Sequence, residues 1–332
     1  MRILVAPDKC KGTATARQLT DALVSTLRTD GHEVVGLPMA DGGEGFLDVF
    51  GGPNRTTVVD GPLGDEVAAE WRLERGTAVI EMARAAGLSL IGGAEENDPI
   101  AASTYGVGEL ISVAVESGAR RVLVGVGGSA TTDGGLGALR ALHPPQRLRG
   151  VELIVACDVR TTFVDAATVF APQKGATRAQ VELLRRRLER LAQVYLDESG
   201  IDVLDLPGAG AAGGLAGGLA TVGATLVGGF DLVADEVDLD EAIDGAELVI
   251  TGEGFLDEES FEGKVVGGVA ALAAAAGVPC LAVVGEIIDP APPLPEGLRV
   301  VSMQERFGVE RALGDPCGCA VELVREELRR DR

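Results

Sequence analysis

Arg121-Val-Leu-Val-Gly-Val-Gly-Gly-Ser-Ala-Thr-Thr-Asp-Gly-Gly-Leu-Gly-Ala-Leu-Arg-Ala-Leu142 reads as an apolar strand, a glycine-rich turn holding one aspartate, and a helix. A strand that is apolar on both faces belongs in a parallel sheet covered by helices on both sides. The same order recurs along the chain. Arg2–Pro7 leads through a turn into a helical stretch at Thr15–Arg28, and Glu33–Leu37 runs into Pro38-Met-Ala-Asp-Gly-Gly-Glu-Gly45. Glu152–Ala156 enters Cys157-Asp-Val159, Glu247–Ile250 enters Thr251-Gly-Glu-Gly-Phe-Leu-Asp257, and Val278–Val284 enters Gly285-Glu286. The reading is an α/β chain with a parallel sheet. Ligands in such sheets bind beyond the carboxyl ends of the strands, where these turns fall.

Two stretches break the alternation. Thr56–Arg75 reads as antiparallel, two strands around a Gly61-Pro-Leu-Gly64 turn with Trp71 in the second. Residues 160–240 hold a charged helix, Thr177–Tyr195, and a glycine-rich run from Pro207. We assign residues 1–52, 101–159 and 242–332 to a Rossmann-like domain, and 53–100 with 160–241 to a second α/β domain inserted discontinuously. A length of 332 residues suits two domains.

Composition narrows the function. Asp+Glu number 51 against 29 Lys+Arg, a net charge of −22 that disfavours nucleic acid and anionic membranes as partners. Two histidines leave little for zinc sites or His-based triads, and five cysteines without a signal peptide fit a reduced cytoplasm. Homo-oligomerisation stays open. Only four of the 29 basic residues are lysines (Lys9, Lys11, Lys174 and Lys264), and all lie in glycine-bearing turns, where a point charge can touch phosphate or carboxylate.

No Walker A loop is present: Gly263-Lys264 is followed by Val265, and Glu258 stands where the first glycine belongs. Gly208-x-Gly210-x-x-Gly213 has dinucleotide-fingerprint spacing without a preceding strand. What remains is a set of acidic, glycine-flanked turns: Asp8 with Lys11, Asp41 with Glu44, Asp133 after Ser129, Asp158, and Glu253 with Asp257. Phosphoryl transfer to an alcohol wants such an inventory: an acid for the hydroxyl proton, carboxylates for Mg²⁺ and ammonium groups on phosphate. Each Asp-Gly turn by itself is ordinary turn chemistry. A nicotinamide-dependent oxidoreductase rests on the sheet architecture alone.

The motifs carry a resemblance. Ala6-Pro-Asp-Lys-Cys-Lys-Gly12, Ala40-Asp-Gly-Gly-Glu-Gly45, Gly61-Pro-Leu-Gly64, Ile80-Glu-Met-Ala83, Ser103-Thr-Tyr-Gly106, Gly127-Gly-Ser-Ala-Thr131 with Asp133-Gly-Gly135, Ala156-Cys-Asp-Val159, Pro172-Gln-Lys-Gly-Ala-Thr177, Pro207-Gly-Ala-Gly-Ala-Ala-Gly-Gly-Leu215 and Ile250-Thr-Gly-Glu-Gly254 occur in that order. Together with Asp257 and Gly263-Lys264 they resemble the bacterial glycerate kinase family, of the type that is neither P-loop nor ribokinase-like. The resemblance implies ATP- and Mg²⁺-dependent phosphorylation of D-glycerate, chiefly at the 2-hydroxyl, in a cleft between two α/β domains. Carried over by position, it makes Asp8, Lys11, Asp41, Asp133 and Asp158 catalytic, with Asp41 and Asp158 on the metal. Ser129, Gln173, Lys174, Gly208, Gly210, Gly213, Gly252, Glu253, Asp257 and Lys264 then bind substrate or nucleotide. The chain departs from the family pattern at Lys9-Cys10, at Thr132 for Asn, at Phe255 for Arg and at Glu262 for His. Phe255 and Glu262 keep two alternatives in view, a ligand-binding or regulatory relative without turnover and a kinase of another small hydroxy acid.

Overall fold

Ile3, Leu4 and Val5 are fully buried, and their strand, β1 (Arg2–Val5), is the seed of a five-stranded parallel sheet. The structure, a computed structural model, describes residues 1–330. The chain forms two units, one made of Met1–Asp41 with the stretch from Phe230 onward, the other of Gly42–Gly229.

In the first unit β1 lies between β2 (Glu33–Gly36) and β9 (Leu248–Leu256), and β10 (Cys280–Ile287) and β11 (Leu298–Ser302) extend the sheet beyond β9. All four pairings are parallel. The helix Ala16–Thr29 starts at Thr15, whose hydroxyl accepts the Gln18 N–H while the Gln18 side chain returns to the Thr15 N–H. Its buried Leu19, Leu23 and Leu27 share one core with Ile3, Val5, Ile250 and Leu323 of the C-terminal helix Pro316–Arg330. Cys317 and Cys319 lie in the first turn of that helix.

The second unit has a six-stranded mixed sheet. β3 (Arg55–Asp60), β4 (Glu66–Glu74) and β5 (Thr77–Glu81) are antiparallel, whereas β6 (Arg121–Gly125), β7 (Glu152–Ala156) and β8 (Thr225–Val227) continue in parallel from β5. Leu110, Ile111, Val124, Val155 and Leu215 fill its main core. The long helix Arg178–Ser199, capped by Thr177, builds a second core from Leu184, Leu188 and Tyr195 on Phe163.

The antiparallel reading of Thr56–Arg75 holds, but its placement differs. Thr77 pairs with Arg121 and Glu81 with Gly125, so β6 and β7 belong to the sheet of the hairpin and not to that of β1. The inserted unit is one continuous segment, and the discontinuous boundaries read from sequence give way to breaks at 41/42 and 229/230. Continuous apolar strands look alike whichever sheet they join; the deciding pairing spans residues far apart in sequence. Among the described residues no helix is long and apolar enough to cross a membrane.

Trp71 ties the hairpin to this unit. It is 1% exposed, and its Nε1–H donates to Thr57 Oγ1 at 2.9 Å. Trp71→Ala should cost about 3–5 kcal/mol of unfolding free energy through the cavity and the orphaned hydroxyl. Urea denaturation measures this, and a loss below about 1 kcal/mol would mean the hairpin packs without it.

Candidate active site

β1 ends at Val5 and β2 at Gly36, yet the two chains stay side by side. The Leu37 N–H donates to Val5 O at 2.8 Å and the Met39 N–H to Pro7 O at 2.9 Å. Asp8 and Asp41 are thereby carried to neighbouring positions just past the strand ends. The Lys9 Nζ sits between them, 3.3 Å from Asp8 Oδ1 and 3.4 Å from Asp41 Oδ1. Asp8 is buried, its N–H donating to Gly252 O at 2.8 Å. Burial pushes its carboxyl up to about 6, with Asp41 adding repulsion and the Lys9 ammonium pulling the other way. Burial disfavours the charge on Lys9 too, but the two carboxylates outweigh it and hold the ammonium above its usual range.

β9 supplies the neighbouring acid. Glu253 is 8% exposed, burial raises its carboxyl to about 7, and its Oε1 has no partner. Asp257 caps the short turn Glu258–Phe261 by accepting the Ser260 N–H at 3.0 Å, and half-buried Lys264 pairs with Glu259 at 3.0 Å. Cys10 lies within this cluster, but burial pushes its thiol up to about 12, which makes it a poor nucleophile. Gly252 is required by close packing: a Cβ there would stand 2.2 Å from Val283 O.

The second unit holds a different arrangement. Lys174 is 3% exposed and donates from Nζ to Ser129 Oγ at 2.8 Å and Thr131 O at 2.6 Å. Burial pulls its amine down to about 7 despite the nearby Asp133 carboxylate. Asn97 Nδ2 ties Lys174 O to Ala130 O, at 2.8 and 3.0 Å. Asn97 Oδ1, Thr131 Oγ1 and Thr132 Oγ1 are buried without partners.

Asp133 is saturated. Its Oδ2 accepts from Thr104 N, Thr104 Oγ1 and Gly137 N at 2.8–3.1 Å, and its Oδ1 from Gly135 N at 3.0 Å. Asp158 Oδ1 accepts the Gly229 N–H at 2.6 Å. Gly213 has a left-handed φ of +66°, and a Cβ there would lie 2.0 Å from Thr131 O; Gly208 and Gly210 are buried in the same segment. These glycines serve backbone crossings.

The structure thus brings together Asp8, Asp41 and Glu253 in one unit, with Asp257 and Lys264 nearby, and Ser129 with Lys174 in the other. It does not bring Lys11 to Asp41. Lys11 is exposed at the tip of the Cys10–Ala14 turn, and the ammonium beside Asp41 belongs to Lys9. Gln173 is exposed and outside the Lys174 network, as are Phe255 and Glu262. Sequence reasoning missed Lys9 as the bridging cation, although its place next to Asp8 was a signal. It also missed Thr104 and Asn97, which no local pattern marks.

Comparison with known proteins gives one direction. The model of the glycerate kinase family matches residues 3–146 and 143–312. A glycerate kinase of Halalkalibacterium halodurans is 38% identical, covering 86% of this chain and 85% of its own. A glycerate 2-kinase of Escherichia coli is 37% identical, with 87% and 86% covered. The crystal structure of a glycerate kinase 2 candidate from Salmonella typhimurium LT2 superposes with a TM-score of 0.83 at 31% identity, covering 100% of this chain and 99% of that one.

The buried amine of Lys174 has a measurable consequence. Unfolded, a lysine keeps its proton to about pH 10; in this fold Lys174 releases it near 7. The unfolded chain therefore binds more protons between those values, and this residue's contribution to stability grows as pH rises through them. The urea midpoint of the wild type should gain on that of Lys174→Met between about pH 7 and about pH 9. A constant difference would show that the folded chain keeps Lys174 charged.

Proposed function

The chain belongs to the glycerate kinase family, and on that premise we propose that it transfers the γ-phosphate of ATP to the 2-hydroxyl of D-glycerate, with Mg²⁺ accompanying the nucleotide. The observation that carries this reading is the Asp8–Lys9–Asp41 triplet. An alcohol is a poor nucleophile until its proton has somewhere to go, and a carboxylate near 6 is a base matched to neutral pH. Asp8 takes that proton in the proposal. Lys9, bound to both carboxylates, fixes the Asp8 carboxylate in orientation and offers its charge to the oxygen that develops during transfer.

The donor set fits a magnesium ion only in a limited way. Among the described residues no three His, Cys, Asp or Glu side chains converge as a metal cage. Mg²⁺ commonly keeps its waters and binds through one or two carboxylates plus the substrate's phosphates. The Asp8–Asp41 pair already draws a cation, and Asp41, the more accessible of the two, would hold the metal. When bound, Mg²⁺ would neutralise the charge of the β- and γ-phosphates. Ser129 and the Lys174 network would serve as polar contacts for substrate or nucleotide. The cytoplasmic setting is part of the same proposal. Phe255 and Glu262 are both exposed, and neither takes part in the Asp8–Lys9–Asp41 triplet on which turnover would rest.

The direct test is Mg²⁺-dependent ADP release with D-glycerate, followed by phosphorus NMR of the product. Release of 2-phosphoglycerate is expected; a 3-phosphate overturns the regiochemistry, and saturable glycerate binding without ADP overturns the kinase. Asp8→Asn should lower kcat by ~10²-fold or more at nearly unchanged thermal midpoint. In the wild type kcat/KM should rise with pH through about 6 as Asp8 deprotonates, and the variant should lack that limb. A variant that keeps both rate and limb places the base elsewhere.

A further inference from the structure

Ser129 follows β6, which ends at Gly125, and so lies at the carboxyl edge of its sheet, where α/β folds place ligands. It is partly exposed, and its neighbour Gly128 is exposed. The backbone is pinned on either side of it: Gly128 O accepts the Leu88 N–H at 3.0 Å, and the Ala130 N–H donates to Ala86 O at 2.9 Å. The N–H groups of Gly128 and Ser129 meet no acceptor among the described residues.

One group holds the hydroxyl. Lys174 Nζ stands 2.8 Å from Ser129 Oγ and 2.6 Å from Thr131 O, and no carboxylate bonds to it among the described residues. Asn97 braces the pair from behind, its Nδ2 donating both to Lys174 O and to Ala130 O. A buried ammonium without a bonded carboxylate is unfavourable, whereas the neutral amine carries no such penalty. Lys174 is 3% exposed, and burial lowers its amine to about 7; Asp133, the charged group that acts on it, opposes that shift. Above neutral pH the amine can offer its lone pair to the hydroxyl beside it, the arrangement in which a lysine activates a serine.

We propose that Ser129 is a nucleophile, with Lys174 as its base, and that it accepts a phosphoryl group from a phosphoric anhydride or an acyl phosphate. Ser129 Oγ attacks phosphorus and its proton passes to Lys174 Nζ. The bond from phosphorus to the bridging oxygen breaks, and the diphosphate or carboxylate leaves with the electron pair. The free N–H groups of Gly128 and Ser129 are the donors at hand for the phosphoryl oxygens. The product favours phosphoryl over acyl transfer: a phosphoserine supplies the anion that the newly formed Lys174 ammonium lacks, and a neutral ester does not. The step draws on no residue of the first unit, so it stands or falls apart from the transfer to glycerate proposed above.

Diisopropyl fluorophosphate, added to the full chain, tests the nucleophile by itself, because attack by Oγ expels fluoride and leaves an adduct that peptide mass mapping locates. An adduct at Ser129 is expected, and its rate of formation should rise with pH through about 7 as Lys174 loses its proton. Lys174→Met should slow the reaction by ~10²-fold or more and remove that limb. Should the variant fail to fold, the wild-type profile decides, since a hydroxyl held only for structure has no limb near 7. Acetyl phosphate and Mg²⁺-ATP, each without glycerate, then separate the two donors: phosphoserine at position 129 from either supports the proposal and identifies the source. No adduct at Ser129, a flat wild-type profile, a folded Lys174→Met as fast as the wild type, or phosphoserine from neither donor would each overturn it.

Discussion

Two like charges beside each other at the carboxyl ends of adjacent parallel strands are the constraint around which the first unit is built. Asp8 and Asp41 repel, and burial removes the water that would screen them. A cation held between them resolves the conflict, and the chain supplies it from the residue next to Asp8. Lys9 is effective because β1 and β2 run in register from Arg2–Glu33 to Val5–Gly36 and the backbone bonds continue past the strands to Met39. On the other side, β9 lies against β1 and delivers Gly252 O to the Asp8 N–H. A shift of one residue on either flank would turn these side chains to the opposite face.

The structure separates aspartates that look alike in sequence. Asp8, Asp41, Asp133 and Asp158 all sit in turns that follow strands. Asp133 accepts four hydrogen bonds, two of them from Thr104, and so joins the start of the helix Leu136–Leu142 to the segment before Tyr105–Glu116. A carboxylate so bonded is committed to holding two backbone segments together. Asp8 has the opposite character, buried with one cation for support and therefore easily protonated. The residue type told us that chemistry was available at each turn. The count of donors around each carboxylate decides where it is used.

Much of the fold was legible because strands buried on both faces announce themselves as unbroken apolar runs. Arg121–Val126, Glu152–Ala156 and Val278–Val284 all became strands within a few residues of their reading. The helix starts at Thr15 and Thr177 were legible too, since a threonine three residues before a glutamine completes a capping box. β8 is three residues long and sits in a glycine-rich stretch, so its period never emerges. Sheet membership was illegible for a different reason: whether β6 joins β1 or β5 depends on contacts between distant segments, to which hydrophobic pattern is blind. In the candidate site the acids were legible and the cations less so. Lys9 and Lys11 are equivalent by composition, and only the tight Cys10–Ala14 turn, which turns Lys11 out to solvent, separates them.

The two departures from the family pattern can be weighed on the same ground. Phe255 is 46% exposed and Glu262 is exposed as well. A charge removed or added at such a position acts through water and salt, and its influence fades within about a Debye length, ~8–10 Å. The fold therefore tolerates both substitutions. A comparable change at Lys9 would leave Asp8 and Asp41 facing each other in a buried setting, where one of them would have to take up a proton and the proposed base would lose its poise. Charge at the surface can accordingly drift, while the buried triplet has no such freedom. Exposed positions such as 255 and 262 can therefore change charge at little cost to the fold, whereas within the triplet desolvation makes every charge depend on its partner.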